Sequence, residues 1–252
     1  MPSLHILDIE FDFSGQKQNI YPVVIQDELD LILVDCGYPN FLQLIEEAAI
    51  QRDIQFERIT KLILTHHDID HIGSAADLQK KYPHIEIIAY ESEYEYIDGT
   101  KKSMRLIQAE ESLNELTDEN KTNAEQFIHF LKSIEPVHVN RILYRDEFLP
   151  WCGGINVIHT PGHTPGHISL YIPTSRTLIA GDAIVIENGK LNIANPQFCL
   201  NLKEAIQTVQ RLQGYEISRL ICYHGGLFKG DVKKALDQLM NDYRSFVNAG
   251  TL

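Results

Sequence analysis

Residues 62–71 read Leu-Ile-Leu-Thr-His-His-Asp-Ile-Asp-His, an apolar run that delivers three imidazoles and two carboxylates within six residues. The apolar run reads as a buried strand, and the cluster behind it as the loop at the strand's end. Histidine and aspartate are also ordinary loop residues, so one such cluster is compatible with a solvated turn. What decides between a turn and a metal site is whether the rest of the chain supplies partners.

The surrounding sequence repeats a strand, turn, helix grammar. Residues 4–12 and 20–26 read as strands, with Pro22 at a strand start or on an edge. Leu31-Ile32-Leu33-Val34 suits a central strand stopped at Asp35 and Gly37. Asn40 is placed to cap a helix whose apolar positions are Phe41, Leu42, Leu44, Ile45, Ala48 and Ala49. A strand over 59–64, a helix over 72–81 and a strand over 85–89 form the second unit.

From about 91 to 135 acidic and polar residues dominate, and two or three helices are expected, one over 123–134. The plain reading is a solvated helical insertion; the alternative is a lid whose aromatics line a pocket. Strands return at 142–144, 155–158, 168–172, 177–180 and 217–223, with helices over 201–212 and 232–247. No Pro/Gly/Ser-rich linker separates the halves, so residues 1–252 are expected to form one α/β domain with helices covering the sheet.

Three later stretches answer the opening cluster. Thr160-Pro-Gly-His163-Thr-Pro-Gly-His167, Gly181-Asp182 and His224-Gly-Gly each follow a strand. Ligands distant in sequence are presented in this way, on loops held by a rigid scaffold.

Composition narrows the partners. A net charge of −13 argues against a phosphate backbone or an anionic membrane surface. Cys36, Cys152, Cys199 and Cys222 are far apart without Cys-x-x-Cys spacing, so free thiols in a reducing compartment are expected. The start lacks the pattern of a secretory signal, and no segment has the apolar length of a membrane span. A cytoplasmic protein acting on a small molecule is the expectation.

At these residues the chain resembles the metallo-β-lactamase superfamily, whose pattern is T-H-x-H-x-D-H, a later T-P-G-H-T-x-G-H loop, a G-D and a final His. His66, Asp70, His71, His163, Asp182 and His224 match in the family's order. The resemblance implies a four-layer αββα sandwich and two divalent metal ions, zinc foremost. By resemblance the first site is His66, Asp68 and His163, the second is Asp70, His71 and His224, and Asp182 bridges. One position departs: Asp68 stands where the family has its second His. A retained carboxylate ligand there shifts preference towards manganese or iron.

The implied activity is hydrolysis of a small-molecule ester, lactone or thioester by a metal-bound hydroxide, with Asp70 passing a proton to the leaving group. His67 at the x position is expected to point away, and His159 and His167 to pack the loops. Asp35 resembles the family's early Asp, which braces the site from behind. Quorum-signal lactonases carry a Tyr three residues after the bridging Asp, where this chain has Val185. Glyoxalase II is similar in the cluster, but little sequence follows His224 to supply its extra helical domain. Two other classes stay open: a di-iron redox protein of the flavodiiron type, and a degenerate binding module without catalysis.

Overall fold

The computed structural model describes residues 2–13, 15–113, 118–194 and 199–244. The chain opens with β1 (Ser3–Ile6), the hairpin β2 (Ile9–Phe13) and β3 (Gln16–Ile20), then β4 (Val23–Gln26) and β5 (Leu31–Val34). The single strand expected over 4–12 is therefore two. At Leu7 the backbone N–H turns to Pro22 O, 2.8 Å away, which ends β1 and sends β2 into a separate ribbon. Pro22 lies immediately before β4, where its missing donor costs nothing.

Helix α1 (Leu42–Ile50) follows, then β6 (Lys61–Leu64), α2 (Ile69–Ile72), α3 (Ala75–Lys81) and β7 (Glu86–Tyr90). Asn40 does not cap α1: it takes a left-handed φ of 68°, a conformation that asparagine tolerates. Phe41 stands at the cap position without a side-chain capping bond, and its own N–H is shared between Ser74 Oγ at 2.8 Å and Tyr38 O at 3.1 Å. The helix expected over 72–81 starts earlier and is split at Gly73-Ser74. A Cβ at Gly73 would lie 2.3 Å from Pro39 N, so only glycine lets this junction pack against the loop after β5.

The insertion holds α4 (Tyr94–Ile97), α5 (Met104–Leu113) and α6 (Asp118–Leu131), the last beginning five residues before the expected 123. It is more than a solvated decoration. Leu106, Ile128 and Leu131 bury themselves against Ile69 of α2, directly beside the His/Asp loop. Next come β8 (Arg141–Leu143), β9 (Phe148–Leu149), β10 (Ile155–His159), β11 (Ile168–Ile172) and β12 (Thr177–Ile179). A second hairpin, β13 (Val185–Glu187) with β14 (Lys190–Asn192), was not foreseen. The chain closes with α7 (Leu202–Leu212), β15 (Arg219–Cys222), β16 (Gly226–Leu227) and α8 (Val232–Asp242). The extension of the last helix to 247 falls partly outside the described residues.

Two six-stranded mixed sheets result, ordered β1-β4-β5-β6-β7-β8 and β16-β15-β12-β11-β10-β9. Strand alternation sorts their side chains into three apolar layers. Ile32, Val34, Ile63 and Ile88 of the first sheet meet Val157, Leu170, Ile179 and Ile221 of the second. On the first sheet's other face, Leu33, Leu62 and Ile87 pack under Ile45 and Ala49 of α1 and Leu78 of α3. Leu178 and Leu220 of the second sheet likewise pack under Val209 of α7 and Leu236 of α8. This is the αββα sandwich: both sheets are covered on both faces, which is why their central strands read as continuous apolar runs. Among the described residues no helix is long and apolar enough to cross a membrane.

Candidate metal centre

The parallel strands β5, β6 and β7 end side by side, and the loop after β6 carries His66, Asp68, Asp70 and His71. The loops after β10, β12 and β15 add His163, Asp182 and His224 from the second sheet. All seven sequence-predicted residues converge at this shared edge. His66, Asp68 and His163 form one group with ligand atoms within 4.8 Å of one another; Asp70, His71 and His224 form another. Asp182 lies between them. Its Oδ1 is 3.4 Å from His71 Nε2, while its Oδ2 is 3.6 Å from His163 Nε2 and 3.4 Å from His224 Nε2.

The imidazoles are oriented from behind. Asp35, at φ 60° just beyond β5, turns its carboxylate under the loop. There it accepts from Thr65 N (2.8 Å), Thr65 Oγ1 (2.9 Å) and His71 Nδ1 (2.9 Å). Because the Thr65 hydroxyl donates to Asp35, it accepts from His66 Nδ1 at 3.0 Å. Both rings thereby hold a proton on Nδ1 and turn Nε2 inward. Tyr223 stacks on His71 at 3.9 Å between centroids and donates its hydroxyl to Asp70 O.

His167 is a positioning group, as its place in the motif suggested. Its Nε2 accepts from the Asp182 N–H at 2.9 Å, so its Nδ1–H donates to Thr160 Oγ1 at 2.8 Å. Thr160 in turn donates to Ser169 Oγ (3.0 Å), which donates to Ala180 O (2.9 Å). Burial and the neighbouring His66 and His163 rings hold His167 well below the ordinary histidine range, which keeps it neutral in this role. His159 packs outside the site, stacked on Tyr90 and bonded to Pro165 O at 2.8 Å.

His67 points away, and its partner was not legible in the sequence. Glu93, fully buried between β7 and α4, accepts from His67 N at 3.0 Å and from His67 Nδ1. Its other oxygen accepts from Thr164 Oγ1 (2.7 Å) and Gly166 N (2.8 Å). One carboxylate thus pins both histidine loops. Arg105 of α5 was also unforeseen. It is buried, and its Nη2 donates to Asp68 Oδ2 at 2.9 Å.

The donor set suits a divalent cation. His66 Nε2, His71 Nε2, Asp68 Oδ1 and Asp182 Oδ1 are buried without a hydrogen-bond partner among the described residues, although such atoms are normally paired. Burial would raise the Asp182 carboxyl, but His224 and His71 outweigh it and hold the group well below the usual carboxylate range. Burial would likewise raise Asp68, but the hydrogen bond with His163, the nearby His66 ring and the Arg105 charge prevail and hold it well below that range. Conversely, although burial opposes it, Asp182 with Asp35 and Asp70 lifts His71 well above the ordinary histidine range. Asp182 and Asp70 likewise push His224 up to about 10. Cations bound among these carboxylates would take over the role those protons fill.

A cavity of about 440 Å³ opens onto this cluster, walled by Tyr38, Ile69, Phe127, Phe130 and Val185. A larger concavity of about 700 Å³ is lined by His5, Asp27, Glu28 and Cys152, which form no metal-holding group among the described residues.

The metallo-beta-lactamase superfamily model matches residues 17–243. The chain belongs to that superfamily. Among relatives in sequence, the probable metallo-hydrolase YflN of Bacillus subtilis is 26% identical over 228 residues, spanning 83% of this chain and 81% of that protein. Hydroxyacylglutathione hydrolase of Bartonella henselae is 27% identical over 189 residues, 73% of this chain but only 56% of its own length. Among solved structures, a metallo-beta-lactamase family protein from Thermus thermophilus superposes with a TM-score of 0.71 at 20% identity, covering 98% of this chain and 81% of its own. An archaeal superfamily protein from Sulfolobus tokodaii gives 0.67 at 18% identity, covering 96% and 86%. At such identities the structural likeness carries the fold alone.

Proposed function

We propose that this superfamily member is a dinuclear metallo-hydrolase that cleaves a small-molecule ester, lactone or thioester. The observation that carries the reading is the pair of rings fixed through Nδ1, His66 and His71, whose Nε2 atoms turn inward toward Asp68, Asp70 and Asp182 without a hydrogen-bond partner among the described residues. His66, Asp68 and His163 would hold one divalent ion, Asp70, His71 and His224 the other, with Asp182 shared. Zinc is the foremost candidate; manganese and iron are the alternatives that a carboxylate at 68 admits. Two such ions supply Lewis acidity and a water that ionises near neutral pH.

The remaining work falls to the protein. Asp70 Oδ2, 3.1 Å from His224 Nε2, lies at the floor of the cavity and is held ionised by His71 and His224 against its burial. There it takes the proton released as water attacks the carbonyl and returns it to the departing oxygen or sulfur. The wall of Phe127, Phe130, Tyr38 and Val185 seats an apolar acyl or alkyl portion and excludes bulk water. The volume suits a small molecule, and the acidic surroundings disfavour nucleic acid. Among the three bond types the thioester draws support from the hydroxyacylglutathione hydrolases among the relatives.

The test is elemental analysis of the purified chain, joined to turnover on a panel of esters, lactones and thioesters before and after chelation. About two ions per chain and turnover that chelation abolishes and divalent metal restores are expected. Turnover indifferent to chelation would overturn the reading.

A further inference from the structure

Asp68 stands at the N-cap position of α2, where an aspartate ordinarily bonds a backbone N–H of the first turn. Here its side chain makes no capping bond. The carboxylate turns inward instead: Oδ2 lies 3.1 Å from His163 Nε2 and 3.7 Å from His66 Nε2, inside the first ligand group. The same Oδ2 accepts from Arg105 Nη2 at 2.9 Å, and both side chains are about nine-tenths buried. Arg105 reaches this atom from α5 of the insertion, whose described buried residues are Arg105 and its neighbour Leu106. Its Nη1 is steadied by Gln108 Oε1 at 3.1 Å.

A His-to-Asp change at a metal ligand adds a full negative charge to a low-dielectric site. A guanidinium held 2.9 Å away adds the opposite charge. We propose that Arg105 is the charge-compensating partner of Asp68. Together the pair presents a first metal site with the net charge of a neutral-histidine site, and thereby ties metal loading to the docking of the helical insertion. The inference rests on the metallo-hydrolase reading, but it concerns residues 68 and 105 as a unit. Arginine suits the task because it stays charged when buried, where a lysine would shed its proton.

The test is a double-mutant cycle read by metal stoichiometry and by competition titration of zinc against a chromophoric chelator, on the full chain. Asp68→His leaves a buried guanidinium facing a cation, so first-site affinity is expected to fall about a hundredfold or more. Arg105→Gln alone, which keeps a donor to Asp68 but removes the charge, should bind the first ion about tenfold more tightly, and Asp68→His with Arg105→Gln should regain wild-type affinity, about tenfold or more above the additive expectation. Circular dichroism establishes folding; should Asp68→His not fold, the titration of Arg105→Gln decides alone. Additive effects around the cycle, or weaker first-site binding in Arg105→Gln, would overturn the proposal while leaving the hydrolase reading intact. A wild-type chain that binds no metal would overturn both.

Discussion

Glu93 is the residue whose removal should be felt furthest from its own position. Truncation to alanine strands four donors that it now accepts: His67 N–H, His67 Nδ1–H, Thr164 O–H and Gly166 N–H. A buried donor left unpaired costs roughly 1–3 kcal/mol, and a buried ion pair stripped of one member roughly 3–5 kcal/mol. These costs overlap at His67, and the Thr164 hydroxyl can rotate, so the total is about 4 kcal/mol. For a chain of this size that is a fall in Tm of order 10 °C. Glu93→Gln keeps one accepting oxygen and should cost about half as much.

The assay is urea and thermal unfolding of metal-stripped protein, which removes stabilisation by bound ions. Its pH dependence is a second check. Burial opposes both charges of the pair, but their mutual attraction prevails: Glu93 is lowered and His67 raised from their ordinary values. The lowered carboxyl contributes stability above the unfolded value near about pH 4.3, lost as pH falls through the folded value. The raised imidazole contributes below about pH 6.5, and this is lost as pH rises through its folded value. The gap between wild type and Glu93→Ala should therefore be widest from about pH 4.3 to 6.5. A Glu93→Ala protein within about 1 kcal/mol of wild type, with a pH-independent gap, would refute the view that one carboxylate pins both loops.

Other substitutions test the remaining parts. Asp70→Asn should lower turnover by roughly 10²–10⁴-fold in steady-state assays on whichever ester, lactone or thioester is hydrolysed. Gly73→Ala should destabilise by about 3 kcal/mol or more in urea unfolding, because its Cβ would meet backbone rather than a movable side chain. Phe130→Ala should raise KM with little change in metal content, since its ring lines the cavity and stacks on Tyr38 at 6.1 Å without approaching the ligands.

The ligand loops were legible because each follows an apolar strand, and loop chemistry at a strand end survives any error in strand boundaries. Asp35 and His167 could be given supporting roles on the same ground. Arg105 and Glu93 could not. Each is a single charged residue in a polar stretch, and its contact depends on how α4 and α5 dock, which no local spacing encodes. The β2–β3 hairpin is hidden because Leu7, Ile9 and Phe11 resume an apolar alternation straight after Leu4 and Ile6, with only a one-residue change of phase at Leu7 to mark the break. The break at Leu7 is a tertiary hydrogen bond rather than a turn residue. Asn40 is a related case: its left-handed backbone takes it out of the cap position, which Phe41 fills without a side-chain bond.

The seven donors are divided between the sheets, His66, Asp68, Asp70 and His71 hanging from one and His163, Asp182 and His224 from the other. Between β8 and β9, at the outer edges of those sheets, the chain passes through the exposed Arg145-Asp146 turn. A cut there would part the molecule into two pieces, each with its own six-stranded sheet and its own incomplete share of the donors. Neither piece alone would hold either complete group of candidate ligands with its shared Asp182. The centre is thus a clasp across a seam, and ions bound in it would act as a tether between halves that the peptide bond no longer joined.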